Sequence, residues 1–232
     1  RYRNRNLFWT GDNNKMKALL ALMFIYGCIS CSSGCGAVRA DLSSPNYVNY
    51  ISERTVLIRI DCPDDDRDHR GTGVIMAGDR ILTVGHVVAN SVGCQILVRR
   101  EGEQMQVAHI LKQDKVADWA VVVVPSRYSI TTSLGPVKLG LPIACAGYPV
   151  QYTDTGTPYL SYTEGLVSTV NVKDVSNGIH YHRVTAYMWA GSSGGGCFDR
   201  EGRLIGLSRM LYADAQGYFY ILRSSDLGRT MK

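Results

Sequence analysis

The sequence predicts an all-β protein, and three observations carry the prediction. Apolar residues fall in short runs rich in Val and Ile, Gly is frequent at 24 of 232 residues, and charged residues make up only 19% of the chain. β-branched runs suit a pleated, half-buried surface, and glycine-rich punctuation supplies the turns between them. So modest a charge content belongs to a chain that buries a core and not to a disordered one.

In chain order, the expected strands of a first half are residues 55–60, 73–76, 80–84, 95–98 and 120–124, with turn signals at Gly78-Asp79, Gly93 and Gly102 between them. A break at Pro125-Ser126-Arg127-Tyr128 closes this half. Runs resume after Pro136 at residues 143–147, 165–170, 182–185, 203–207 and 217–222, and a short helix or coil is expected from 224 to 232. Strands at this spacing fit two barrels or a sandwich. The expected organisation is a leader over residues 1–40, one β unit over 41–125 and a second over 126–232.

The leader reading rests on composition. Residues 18–29 form an apolar run behind Met16 and Lys17, too short to span a bilayer comfortably and the right size for the core of an export signal. Ile25-Tyr26-Gly27-Cys28 resembles a lipobox, which would attach lipid at Cys28 and tether the protein to a membrane. Val38-Arg39-Ala40 offers an ordinary cleavage site instead, and a helix packed on the domain is a third option. The net charge of +5 also belongs here: without residues 1–27 the chain carries 20 basic and 19 acidic residues, so no nucleic-acid partner is expected.

The seven cysteines divide into Cys28, Cys31 and Cys35 in the leader and Cys62, Cys94, Cys145 and Cys197 in the domain. An exported chain can oxidise the even domain set. The domain has no Cys-x-x-Cys pair and no His at ligand spacing, and the acidic run at residues 64–68 lacks the spaced ligands of a calcium loop, so neither metal nor cofactor is expected.

Chemistry concentrates at Gly191-Ser192-Ser193-Gly194-Gly195, where a serine stands in a glycine-flanked loop that leaves it open to attack a substrate, with backbone N–H groups free to converge on an oxyanion. A Gly-x-Ser-x-Gly elbow of the α/β-hydrolase kind needs its acid and its His after the serine. All five histidines, His69, His86, His109, His180 and His182, precede Ser193. The order left is His, then Asp, then Ser.

Four blocks in that order, Gly71-Thr72-Gly73-Val74-Ile75, Ile81-Leu82-Thr83-Val84-Gly85-His86-Val87-Val88, Asp118-Trp119-Ala120-Val121-Val122 and Gly191 to Gly195, resemble the trypsin-like serine proteases of the HtrA (Do-like) type over about residues 50–222. The resemblance implies two antiparallel six-stranded β-barrels of chymotrypsin kind with the active site in the cleft between them, and no PDZ domain is expected in this chain. It implies a serine endopeptidase acting on polypeptides: His86 as general base, Asp118 as the group orienting it, with Asp114 as competitor, and Ser193 in preference to Ser192 as nucleophile. The N–H groups of Gly191 and Ser193 would form the oxyanion hole. Tyr187 would sit near the floor of the primary pocket, where the lack of an Asp argues against Lys/Arg preference, and Gly206, Leu207 and Ser208, on to Met210, would line a wall and pair with substrate backbone.

The same resemblance implies a Cys145–Cys197 disulfide, shifted by two residues on each strand from the position in trypsin relatives, and a Cys62–Cys94 pair is also expected. Ser192 replaces the Asp that pairs with a new N-terminus in digestive trypsins, so that activation is not expected. The protein would be periplasmic, lipid-anchored or secreted, with a viral or phage-encoded protease as alternative. A catalytically silent binding protein of the same fold, on a surface or a virion, is the competing function.

Overall fold

A sheet that curls until its edges meet leaves no row of backbone groups unpaired. The computed structural model describes residues 40–63, 65–89, 91–150, 158–175, 178–209 and 219–227, and these residues form two closed antiparallel barrels. Strands β1 (Thr55–Cys62), β2 (Asp65–Val84), β3 (Gln95–Arg99), β4 (Gln106–Asp114) and β5 (Trp119–Thr131) make the first, in the order β1-β2-β5-β4-β3 with β3 returning to β1. The second uses β6 (Pro142–Gly147), β7 (Ser161–Lys173), β8 (His180–Val184), β9 (Gly196–Asp199), β10 (Leu204–Arg209) and β11 (Phe219–Arg223), in the order β10-β11-β8-β7-β6-β9, closed by β9 on β10.

Two six-stranded barrels were expected, and this is corrected: only the second has six strands. The first has five because residues 73–76 and 80–84 are not separate strands joined by a turn but parts of the 20-residue β2. The Gly78 signal makes a bulge. Its φ is +63°, which glycine adopts at no steric cost, and the register slips on either side of it. The strand therefore bends, pairing with β1 up to Val74 and with β5 from Ala77 onward. Likewise β5 runs on past Pro125, which falls in the irregular stretch opposite Gly78-Asp79, between Val123 and Tyr128, where a missing N–H breaks no ladder bond.

Among the described residues three helices complete the fold: α1 (Pro45–Ser52), α2 (Gly85–Val88) and α3 (Ser224–Leu227). Helix α1 is started by Pro45 and by the Ser44 hydroxyl, which accepts from the Tyr47 N–H at 3.3 Å. Its Tyr47 hydroxyl donates to the Asp199 carbonyl, and the Tyr50 ring lies so close to Gly202 that a Cβ there would meet it at 2.5 Å.

Each barrel has its own core, with Ile58, Ile75, Ile81 and Val122 inside the first and Ile143, Val184, Ile205 and Ile221 inside the second. A third cluster fills the seam. Val74, Leu82, Val84 and Trp119 from the first barrel meet Ala146, Phe198, Leu207 and Leu222 from the second, with Tyr47 and Ile51 of α1 added. Burying each large aliphatic side chain here contributes about 1.5–3 kcal/mol, so the barrels are held as one body.

Cys62 is bonded to Cys94 and Cys145 to Cys197, as expected. Cys145 and Cys197 stand directly opposite on β6 and β9, so the two-residue shifts cancel. The chain divides into Arg1–Val38 and Arg39–Lys232. The leader, including the Cys28 reading, lies outside the described residues. Among the described residues no helix is long and apolar enough to cross a membrane.

Candidate active site

Strand β2 ends at Val84 and the chain turns at once into α2, which carries His86 at its start. Glycine at 85 lets the turn pack closely on Asp118. A Cβ there would lie 3.2 Å from the Asp118 carboxylate, its carbonyl carbon and the Trp119 nitrogen. Asp118 occupies the β4–β5 turn at φ +55°, a left-handed conformation that Asp tolerates better than most residues. Both its oxygens engage His86: Oδ1 accepts from the backbone N–H at 2.7 Å, and Oδ2 lies 3.0 Å from Nδ1. That arrangement places the Nδ1 proton toward the carboxylate and leaves Nε2 as the basic nitrogen.

Asp114 does different work. Its Oδ1 accepts from the N–H groups of Val116 and Ala117 at 2.9 and 2.8 Å, shaping the turn that presents Asp118. The Asp118 side chain is only 8% exposed, and burial pulls its pKa up, but the His86 hydrogen bond and the His86 and Arg209 charges outweigh burial and hold it below the ordinary carboxylate value.

Residues 191–195 lead into β9 and press against the first barrel. Gly191 and Gly194 have φ of +90° and +89°. A Cβ on Gly194 would lie 2.1 Å from the Thr72 carbonyl oxygen, and one on Gly191 would lie 2.5 Å from that of Tyr148. Thr72 of β2 pins the loop: its N–H donates to Ser193 O at 2.8 Å and its hydroxyl to Gly191 O at 2.8 Å, while that hydroxyl accepts from the Tyr148 N–H at 2.9 Å. Thr83 Oγ1 in turn donates to Thr72 O at 2.7 Å.

The loop's own N–H groups alternate. Those of Ser192, Gly194 and Gly195 donate to Trp189, Ser208 and Ser192 carbonyls at 2.9, 2.8 and 2.9 Å. Those of Gly191 and Ser193 have no acceptor among the described residues, so two donors flank the Ser193 hydroxyl unspent. The Ser193 hydroxyl and His86 are not hydrogen-bonded to each other. Such bonds are often long in a substrate-free site and tighten when substrate arrives.

Tyr187 lines a cavity of about 410 Å³ with Pro149, Val150, Thr163, Trp189 and Ser192. Its ring stacks on Trp189 at 5.8 Å and meets Phe219 edge-on at 5.2 Å. Ser208 lines a small cavity with Gly147, Tyr187, Met188 and Ser192. Gly206 and Leu207 pair with β9 on one side and β11 on the other, and both Ser208 backbone groups are bonded to the nucleophile loop. A substrate strand therefore finds its first open edge at Arg209.

Sequence reasoning did not find Thr72 or Arg209. Thr72 lies within Gly71-Thr72-Gly73-Val74-Ile75, but only the fold shows that three of its bonds cross between barrels. The Arg209 Nε lies 2.6 Å from Asp118 Oδ2, across 91 residues of sequence with no local pattern to mark it.

A family profile described as trypsin-like peptidase domain matches residues 71–207. Among curated proteins, Protease Do-like 2, chloroplastic, of Arabidopsis thaliana is 30% identical over 158 residues, covering 63% of this chain and 25% of the relative. Serine protease Rv3671c of Mycobacterium tuberculosis is 26% identical over 158 residues, covering 66% of this chain and 38% of the relative. The chain thus spans well under half the length of these relatives. Among solved structures, the active form of the Rv3671c protease from M. tuberculosis superposes with a TM-score of 0.68 at 22% identity, covering 79% of this chain and 82% of that one. An HtrA-type protease, AlgW with a tripeptide, also gives 0.68 at 22% identity, over 79% of this chain and 60% of that one.

Proposed function

Since the chain belongs to the trypsin-like peptidase domain family, we propose that it is a serine endopeptidase working through Ser193, His86 and Asp118. An extended polypeptide lies along the seam and adds to the end of β10 at Arg209. Ser193 Oγ attacks the scissile carbonyl carbon while His86 Nε2 takes its proton, and the carbonyl oxygen, now an anion, is held by the Gly191 and Ser193 N–H groups. His86 then gives its proton to the leaving amine, the C–N bond breaks, and an acyl enzyme remains. Water, activated by the same imidazole, releases the acid and restores Ser193. Asp118 keeps its charge throughout and stabilises the imidazolium.

The observation that carries this reading is the pair of unspent N–H groups at Gly191 and Ser193 beside an Asp118–His86 pair that is already formed. Fluorophosphonate labelling tests it. The wild-type chain is expected to take one label, lost in Ser193→Ala and kept in Ser192→Ala; a label on Ser192, or none, rejects the assignment.

Tyr187 and Trp189 on the cavity wall favour an apolar substrate side chain over Lys or Arg. Two disulfides favour an oxidising compartment, which supports export. Tethering through Cys28 is the finer form of that proposal, and mass spectrometry of the mature N-terminus separates a lipidated Cys28 from a free amine at Asp41.

A further inference from the structure

Arg209 and Asp118 form an ion pair in a site where the carboxylate already has a cationic partner in waiting. The Arg209 side chain is 13% exposed and that of Asp118 8%, and the contact is to Oδ2, the oxygen that also faces His86 Nδ1. The guanidinium lies 5.3 Å over the Tyr181 ring, and its Nε and Nη1 are buried without an aligned acceptor, so its compensation is chiefly the Asp118 charge. Asp174 adds a weaker attraction from beyond the end of β7. An arginine stays charged at every pH of interest.

Once His86 has taken the Ser193 proton, one carboxylate serves two cations. Asp118 attracts the imidazolium while Arg209 repels it and draws on the same oxygen. We propose that Arg209 is a positioning residue of the triad: its ion pair with Oδ2 locks the Asp118 carboxylate against His86, so that its charge bears on the acid limb of the enzyme's pH profile. The inference rests on the peptidase reading.

The other ionisable groups on the surrounding elements do not cancel this. On the β4–β5 side, Asp114 is spent on turn N–H groups, Lys112 lies over Trp119 at 5.6 Å, and Lys115 is exposed. On the second barrel, Asp174 partly offsets the Arg209 charge. In general, a unit charge roughly 6 Å from a titrating group, at an effective dielectric near 20 to 40, moves its titration by about one pH unit or somewhat more.

The test is the pH dependence of second-order fluorophosphonate labelling for wild type, Arg209→Met, Arg209→Gln and Arg209→Lys, each checked for folding by thermal unfolding. The acid limb is expected to move up by about one pH unit in the two neutral variants and to stay within about 0.3 unit in Arg209→Lys, which keeps the charge. Arg209→Gln carries the test if Arg209→Met does not fold. A labelled wild type whose limb is unmoved in a folded neutral variant, or moved equally by Arg209→Lys, overturns the inference alone. A wild type that takes no label at any pH overturns the peptidase reading and this inference with it.

Discussion

Replacing Thr72 by Val separates what the nucleophile loop owes to its anchor from what it owes to its own turns. Valine keeps the branched shape but removes the hydroxyl that donates to Gly191 O and accepts from the Tyr148 N–H. Tyr148 is fully buried, so its N–H cannot turn to water. Two buried groups lose partners at about 1–3 kcal/mol each, and roughly 3 kcal/mol in total is a fair expectation. That cost has two outlets. If the loop holds its place, it appears as lost stability. If the loop relaxes, the Gly191 peptide rotates and an oxyanion donor is misplaced, which lowers kcat by about 100-fold or more. Urea unfolding and steady-state peptide hydrolysis on one preparation should therefore give losses that together reach about 3 kcal/mol, with Thr72→Ser close to wild type in both. Losses totalling under about 1 kcal/mol would refute the anchoring role.

Two further outcomes are expected. His182 on β8 is held neutral: burial, and then the nearby Arg223 charge, lower its pKa to about 4, against the partial opposition of Asp226. Because the folded value lies below the unfolded one, the unfolded chain binds the proton first, so stability should fall as pH drops from about 6.5 to about 4 and then level off, by about 3 kcal/mol at most. Urea unfolding across that range should show this slope in the wild type and a flatter profile in His182→Gln; equal slopes would remove His182 as the cause. Reducing the Cys145–Cys197 bridge, which closes a span of 52 residues, should cost about 4 kcal/mol in the chain-entropy account. A Cys145→Ala/Cys197→Ala variant compared with the parent in chemical denaturation measures it, and an unchanged midpoint would show that the strand pairing alone holds β6 to β9.

The strands most visible in the sequence were those with buried, β-branched faces, such as β1, where Val56, Leu57 and Ile58 are all buried. Strand β4 is not legible because eight of its nine residues are polar or exposed and its one buried side chain, Ala108, makes no alternation. Strand β9, four residues long and preceded by glycines, shows no apolar pattern of its own, and only the resemblance puts Cys197 on a strand. Gly78 was misjudged as a hairpin turn because a bulge and a turn call for the same left-handed residue, and only pairing partners distinguish them. At the site, His86 and Asp118 are legible through the blocks that resemble the trypsin-like family, in which each adjoins an apolar strand. Arg209 did not, since a long-range ion pair leaves no trace in the spacing of either residue.

The apolar seam between the barrels also makes the chemistry a property of the pair. The base and its orienting carboxylate stand on the first barrel, and the nucleophile loop leads into a strand of the second while being pinned by Thr72 of the first. Neither barrel alone holds both an imidazole and a serine for it to deprotonate, so the reactive serine exists only where the two are docked.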